Sequence, residues 1–283
     1  MPANRFILTA DDYAMTPAVS RGILALLEAG RISATGAMTN RPSWPEAARE
    51  LRSFEGNADL GVHINLTCGA PLTAADGLAA GGILPKLGPL LARALAGRVP
   101  QDVVEREIGA QLTAFEDAMG RMPDFIDGHQ HIHAMPGIRR AFAAVMARRY
   151  PDAKPYVRDA ADRFGPINAR GRHARKAMIV AGLARPFGAR LRELGFALNQ
   201  GFSGFSAFDP QADYGADFAS YLLAPGKAQL VMCHPGAVDD ELRALDPATD
   251  SRPQEVAYFL SNRFIENCDA ASMRPARFSE LSD

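Results

Sequence analysis

Cysteine is scarce in this chain. Cys68, Cys233 and Cys268 are the only three among 283 residues, they lie far apart, and none forms a Cys-x-x-Cys pattern. An odd, dispersed set supports neither a disulfide framework nor a thiolate zinc site, so a reducing compartment and a cytoplasmic location are expected. Long runs of one charge are also missing and the formal net charge is -1, which argues against nucleic acid or an anionic membrane as partner. No apolar stretch reaches the length of a membrane span. Only Phe6 to Ala10 separate Arg5 from the first acids, too little for the apolar region of a signal peptide. There is no internal repeat and no low-complexity linker. What is present, 47% hydrophobic and 22% charged residues, permits one large α/β domain over residues 1–283 with ample core.

Histidine, by contrast, is concentrated. Of six histidines in the chain, three fall within Phe125-Ile-Asp-Gly-His-Gln-His-Ile-His133. In extended backbone Asp127, His129, His131 and His133 would share one face. One histidine on an apolar element is most simply a hydrogen-bonded core residue; three at period two with a carboxylate point to a metal site. An adventitious surface site has the same local signature, so a catalytic reading needs ligands from elsewhere in the chain.

Two other segments supply them. Arg5 to Asp12 is a short apolar run that stops at two adjacent acids, before a helix opened by Thr16 as cap and Pro17 at its first position. Asp11 and Asp12 serve there as turn formers or as helix-dipole partners, or else as a pair in which one carboxylate binds a cation and the other exchanges protons. Leu60-Gly-Val-His63-Ile-Asn-Leu-Thr67 runs from alternating apolar residues into a Gly/Pro turn, placing His63 at a second strand end. A third apolar run, Ala228 to Cys233, ends in His234-Pro-Gly. Reactive residues gathered at the C-terminal ends of parallel strands are the habit of (β/α) barrels and related sheets. The fold expected is a single-domain (β/α) barrel, TIM-like or distorted, with seven or eight mostly parallel strands.

In their order along the chain, Thr9-Ala-Asp-Asp-Tyr13, Gly61-Val-His63-Ile-Asn-Leu-Thr67 with Gly69-Ala-Pro71, Asp127-Gly-His129-Gln-His131-Ile-His133 and His234-Pro-Gly236 resemble the motifs of the YdjC-like family of carbohydrate deacetylases, which includes chitooligosaccharide and hopanoid-associated members. The resemblance implies hydrolysis of an N-acetyl group on an amino sugar, with one divalent ion held by Asp12, His63 and His129 and with Asp11 as general base. His234 would protonate the leaving amine. His131 and His133 divide between ligand-orienting or substrate-contacting roles and plain structural ones, while Asp127 is a candidate to fix an imidazole tautomer. Arg158 either tunes Asp11 or is a solvated surface arginine, the simpler reading. The family is usually assigned magnesium, whereas two imidazoles and a carboxylate favour zinc or a neighbouring transition metal. The partner implied is a small N-acetylated saccharide, and a homodimer is the expected assembly. The competing functions are another metal-dependent amidohydrolase or phosphoesterase on a similar barrel, and a non-catalytic metal-binding protein.

For the remaining chain, pattern predicts a strand over 34–38, a helix capped at Ser43 with Glu46 completing a capping box, a long functional loop over 68–85, and helices over 86–97, 101–119 and 137–149. It further predicts a strand near 155–158, a basic Ala-rich stretch over 168–192, a helix over 253–266 and a strand near 276–279. Arg170, Arg172, Arg175, Lys176 and Arg185 read most simply as a solvated helical face, the alternative being contact with an anionic group. Phe202, Phe205 and Phe208 read equally as a stacking wall for sugar rings and as buried packing. Cys233 beside His234 is not a nucleophile pair, because neighbours on a strand face opposite ways.

Overall fold

Near-continuous apolar sequence makes a strand that is buried on both faces, and Phe6, Ile7, Leu8 and Ala10 form such a run at full burial. They belong to β1 (Asn4–Tyr13), the centre of a parallel sheet that also contains β2 (Ala34–Ala37), β3 (Asp59–Ile64), β4 (Phe125–Gly128), β5 (Tyr156–Val157), β6 (Phe202–Ser203), β7 (Leu230–Cys233) and β8 (Met273–Pro275). This computed structural model describes residues 4–281, so the ends of the expected domain, 1–3 and 282–283, lie outside the described residues. The strand order is β5-β4-β3-β2-β1-β7-β6, with β8 pairing the start of β1. All named pairings are parallel.

The helices are α1 (Pro17–Glu28), α2 (Trp44–Leu51), α3 (Leu87–Leu95), α4 (Gln101–Met119), α5 (Ile138–Arg149), α6 (Phe164–Arg170), α7 (Ala174–Glu193), α8 (Tyr214–Tyr221), α9 (Asp240–Leu245), α10 (Arg252–Leu260) and α11 (Asn262–Ala270). None of them is long and apolar enough to cross a membrane. Between the two outer strands the wall is thin: Val157 N donates to Ala197 O (2.9 Å) and Leu198 bridges Val157. The sheet is thus a curled, distorted barrel. Ala177, Ala181 and Ala184 of α7 join Ile7, Phe125, Phe202, Leu230 and Met232 in one buried cluster; their small side chains let the helix come close at this seam.

Several local expectations are corrected. Thr16 caps α1 as expected, accepting from Val19 N at 3.3 Å. Ser43 does not cap α2; its hydroxyl donates instead to Ala14 O (2.7 Å), a carbonyl left free where the chain turns at positive φ. The expected 253–266 helix is two helices, broken where Ser261 is extended and its hydroxyl takes Tyr258 O (2.6 Å). The last strand lies at 273–275, not 276–279, because Asp59 accepts from Phe278 N (2.7 Å) and winds residues 278–281 into a 3-10 turn. Arg170 is not solvated: its guanidinium donates to Asp162 Oδ2 (2.6 Å), Phe202 O (2.9 Å) and Leu223 O (3.1 Å), tying α6 to the β6 end of the sheet. The loop over 68–85 is pinned to α4 by buried Glu107, which accepts from Leu72 N and Thr73 N.

Two glycines make room for the barrel interior. A Cβ on Gly61 would lie 2.5 Å from the Phe125 ring, and one on Gly36 would meet His63 Cβ at 3.1 Å. Phe125 fills the space beneath the polar end of β3 and β4, so Gly61→Ala overpacks the core. It should lower stability by about 1–3 kcal/mol, read as an earlier midpoint in denaturant titration; an unchanged midpoint would show that the ring yields freely.

Candidate metal centre and active site

Adjacent residues of a regular strand face opposite ways, yet Asp11 and Asp12 both enter the same site. The reason lies in the backbone. Between Ala10 and Tyr13 β1 carries one residue more than β2 opposite it, and Asp12 sits at φ 71°. A left-handed non-glycine residue costs about 1 kcal/mol or more, and Asp tolerates it better than most. The bulge turns Asp12 inward beside Asp11, and Thr35 Oγ1 donates to the Ala10 carbonyl at its foot (2.8 Å).

His63 and Asp127 are register partners on β3 and β4. His63 Nδ1 lies 2.5 Å from Asp127 Oδ1 and its Nε2 lies 3.4 Å from Asp12 Oδ1. Asp127 therefore accepts a hydrogen bond from the Nδ1–H and leaves Nε2 facing Asp12. His129 Nδ1 approaches the same Asp12 oxygen at 2.8 Å. The other oxygen, Oδ2, accepts from Arg252 at 2.7 Å. One ligand atom from each of Asp12, His63 and His129 falls within 4.8 Å of the others, and all three residues are buried.

The predicted extended run of histidines is overturned. β4 ends at Gly128, and residues 129–134 coil back with Gln130 at φ 53° and His131 at φ 58°. A Cβ on Gly128 would stand 2.9 Å from His133 Nδ1, so a larger residue there would force the returning histidine to move. Period two is lost. His131 packs edge-on against Phe202 and Phe205, with centroids at 5.6 and 5.7 Å, and His133 sits between Phe187 (5.1 Å) and Phe142 (6.0 Å). Burial pushes the His133 pKa down to about 4. Of the three phenylalanines, Phe202 and Phe205 are core, and Phe208 is half-buried.

Arg158 is not the solvated arginine expected on the simpler reading: it is wholly buried just past β5. Its Nη1 and Nη2 donate to Asp11 Oδ2 (2.7 Å) and Oδ1 (2.5 Å), and Nη2 also lies 2.7 Å from Asp127 Oδ2. Asp11, His63 and Asp127 form a second cluster of donor atoms, but this guanidinium already supplies its cation. His234 arrives from the loop after β7 with Nε2 at 3.8 Å from Asp11 Oδ2. The backbone holds it there. A Cβ on Gly22 of α1 would fall 2.7 Å from Gly236 Cα, and Glu255 Oε2 accepts from His234 N at 2.6 Å. Burial depresses the His234 pKa to about 4 against the pull of Asp11 and Asp12, and raises Glu255 to about 7.

Sequence reasoning missed Arg252, Asp246 and Glu255. Asp246 Oδ2 stands 3.8 Å from His129 Nε2 and 3.9 Å from Arg252 Nη2. No apolar run leads into this segment and no histidine marks it, so the only cue was Arg252-Pro253 at a helix start.

The residues fit a divalent cation. Two imidazoles and one carboxylate converge, and such a set leaves positions open for water and substrate. Around them the carboxylates Asp11, Asp12, Asp127 and Asp246 outnumber the guanidiniums Arg158 and Arg252 by two. Burial opposes ionisation of Asp12, yet His129 and Arg252 together hold its carboxyl well below the usual range. Burial alone would lower His63, but Asp127 and then Asp11 outweigh it and push it up to about 10.

A parallel, curled sheet with a buried Asp/His/His cluster at the C-terminal ends of its strands defines the class. The chain belongs to the YdjC-like family, whose model matches residues 5–270. It is 29% identical over 237 residues to a chitooligosaccharide deacetylase of Citrobacter koseri, covering 84% of this chain and 83% of that one. With a carbohydrate deacetylase of Mus musculus it shares 34% identity over 151 residues, 51% of this chain and 48% of the relative, so it spans about half the length of that protein. Among solved structures, a protein of Enterococcus faecalis V583 to which cellobiose-phosphate cleavage has been ascribed superposes with a TM-score of 0.74 at 20% identity, covering 99% of this chain and all of that one. That likeness shows the shared fold.

Because His63 holds its proton up to about pH 10 without a metal, an ion entering the cluster must displace it. Affinity should rise with pH by about 10-fold per unit below that value. Titration calorimetry in two buffers of different ionisation enthalpy should report about one proton released per ion from this group; binding with no proton release at neutral pH would show that His63 is already neutral when the ion enters.

Proposed function

We propose that this chain is a divalent-metal-dependent carbohydrate N-deacetylase that removes an acetyl group from an N-acetylated amino sugar. The observation that carries the reading is the division of labour between neighbours. Asp12 faces two imidazoles, while Asp11 beside it has both carboxylate oxygens held by Arg158.

Asp12, His63 and His129 would hold the ion, and their donor types favour zinc or a neighbouring transition metal over magnesium. When bound, the ion supplies Lewis acidity toward water and the acetamide carbonyl. Asp11 is the general base. The Arg158 fork fixes the plane of its carboxylate, and a carboxylate has about four lone-pair positions, so two remain for a water proton. Asp127 keeps the His63 tautomer and shares Arg158 with Asp11, coupling the orientation of base and ligand. The water proton taken by Asp11 would pass to His234, whose Nε2 lies 3.8 Å from Asp11 Oδ2 and which burial keeps neutral in the resting site, and from His234 to the departing amine, returning both groups to their starting forms. A phosphoesterase or amidohydrolase built on two metals fits less well, because Arg158 occupies the second donor cluster.

Asp11→Asn should keep the ion and reduce acetate release by about two to four orders of magnitude, whereas His63→Ala and His129→Ala should lose the ion itself. Metal content and acetate release from N-acetylglucosamine oligomers, with the protein reloaded with each metal in turn, check both. Near-normal turnover by Asp11→Asn would refute its role, and silence on every acetamide would refute the activity.

A further inference from the structure

The most exposed side chain of the site is His234, and an aromatic ring stands against it. Side chains of Asp11, Asp12, His63, His129, Asp127, Arg158 and Arg252 expose 5% or less, Asp246 exposes 7%, and His234 exposes 14%. His234, the most exposed of them, lies with Nε2 3.8 Å from Asp11 Oδ2, so the solvent-facing side of the site nearest the base is at this histidine. Phe208 leans against that histidine, with ring centroids 5.1 Å apart and planes at 81°.

Phe208 is not one of the fully buried core aromatics. Unlike Phe202 and Phe205 it keeps part of its ring exposed, and its backbone sits at φ 57°, a conformation that costs free energy for a bulky residue. Two contacts hold this posture. Ser206 Oγ accepts from Phe208 N (2.9 Å), and Lys176 of α7 lies 5.0 Å from the ring centroid while donating to Ser206 O (3.3 Å). A strained, partly exposed ring braced from two sides beside the most exposed polar residue of the site is what a sugar platform needs. Pyranose C–H faces pack on aromatic rings, whereas their hydroxyls prefer water or polar partners.

We propose that Phe208 is the substrate-positioning residue of this site: it stacks the pyranose ring that carries the acetamide, and Lys176 holds the platform in place. The proposal rests on the deacetylase reading above. The ring acts on the whole sugar and not on the reacting carbon, so its contribution is the same in ground and transition states and belongs in KM.

Phe208→Ala should raise KM for N-acetylglucosamine oligomers about 10-fold with kcat within about 2-fold, and Phe208→Trp should restore KM. Metal content should be unchanged in both, which separates loss of the platform from loss of the fold. Calorimetric binding of the same oligomers to the metal-loaded Asp11→Asn protein should weaken about 10-fold when Phe208→Ala is added. Turnover by Phe208→Ala at unchanged KM, a fall in kcat alone, or failure of Trp to restore KM would overturn the platform while leaving deacetylation standing. A wild-type protein that hydrolyses no acetamide would overturn deacetylation and the platform with it.

Discussion

The left-handed turn at Asp12 is the constraint on which the site depends. Strand geometry forbids two consecutive side chains from facing one point, and the extra residue between Ala10 and Tyr13 lifts that prohibition at a cost of about 1 kcal/mol. Once both carboxylates turn inward, each finds its own counter-charge: Arg158 grips Asp11, and Arg252 takes the outer oxygen of Asp12. The free oxygen of Asp12 then faces His63 and His129. A straight strand would send one of the two acids into the helical layer, where a buried charge without a partner is prohibitively expensive.

Burial gives the arrangement its chemical character. In low dielectric the charges of Asp127 and Arg158 reach farther than they would in water, so one carboxylate fixes an imidazole tautomer and also shares the guanidinium that orients the neighbouring acid. The same burial works against His234 and Glu255, pushing the first toward its neutral form and the second toward its protonated form. Carboxylates at nearby positions are thereby separated in role by what surrounds them, and the excess of negative charge around the cluster favours a divalent ion.

Much of this was legible in the chain. Apolar runs ending in Asp11, His63, Asp127 and His234 announced parallel strands with chemistry at their ends, and the helices at 101–119 and 138–149 followed from periodicity and punctuation. The return of the chain after Gly128 was not legible, since alternation of histidines mimics a strand and the glycine that permits the coil acts through a contact with His133 five residues away. Nor could the sequence reveal Arg252, which reaches Asp12 across 240 residues, or the burial of Arg158 and Arg170, whose carboxylate partners lie on other elements or loops. Charged residues read as solvated unless a partner is known, and partners are a tertiary fact.

The account stands or falls on where a cation goes. Anomalous scattering from crystals soaked in zinc should show one strong peak about 2.0–2.2 Å from His63 Nε2, a His129 ring nitrogen and the free Asp12 oxygen, with Arg158 still bridging Asp11 and Asp127. A peak seated between Asp11 and Asp127 with Arg158 displaced, or two peaks of equal strength, would contradict it.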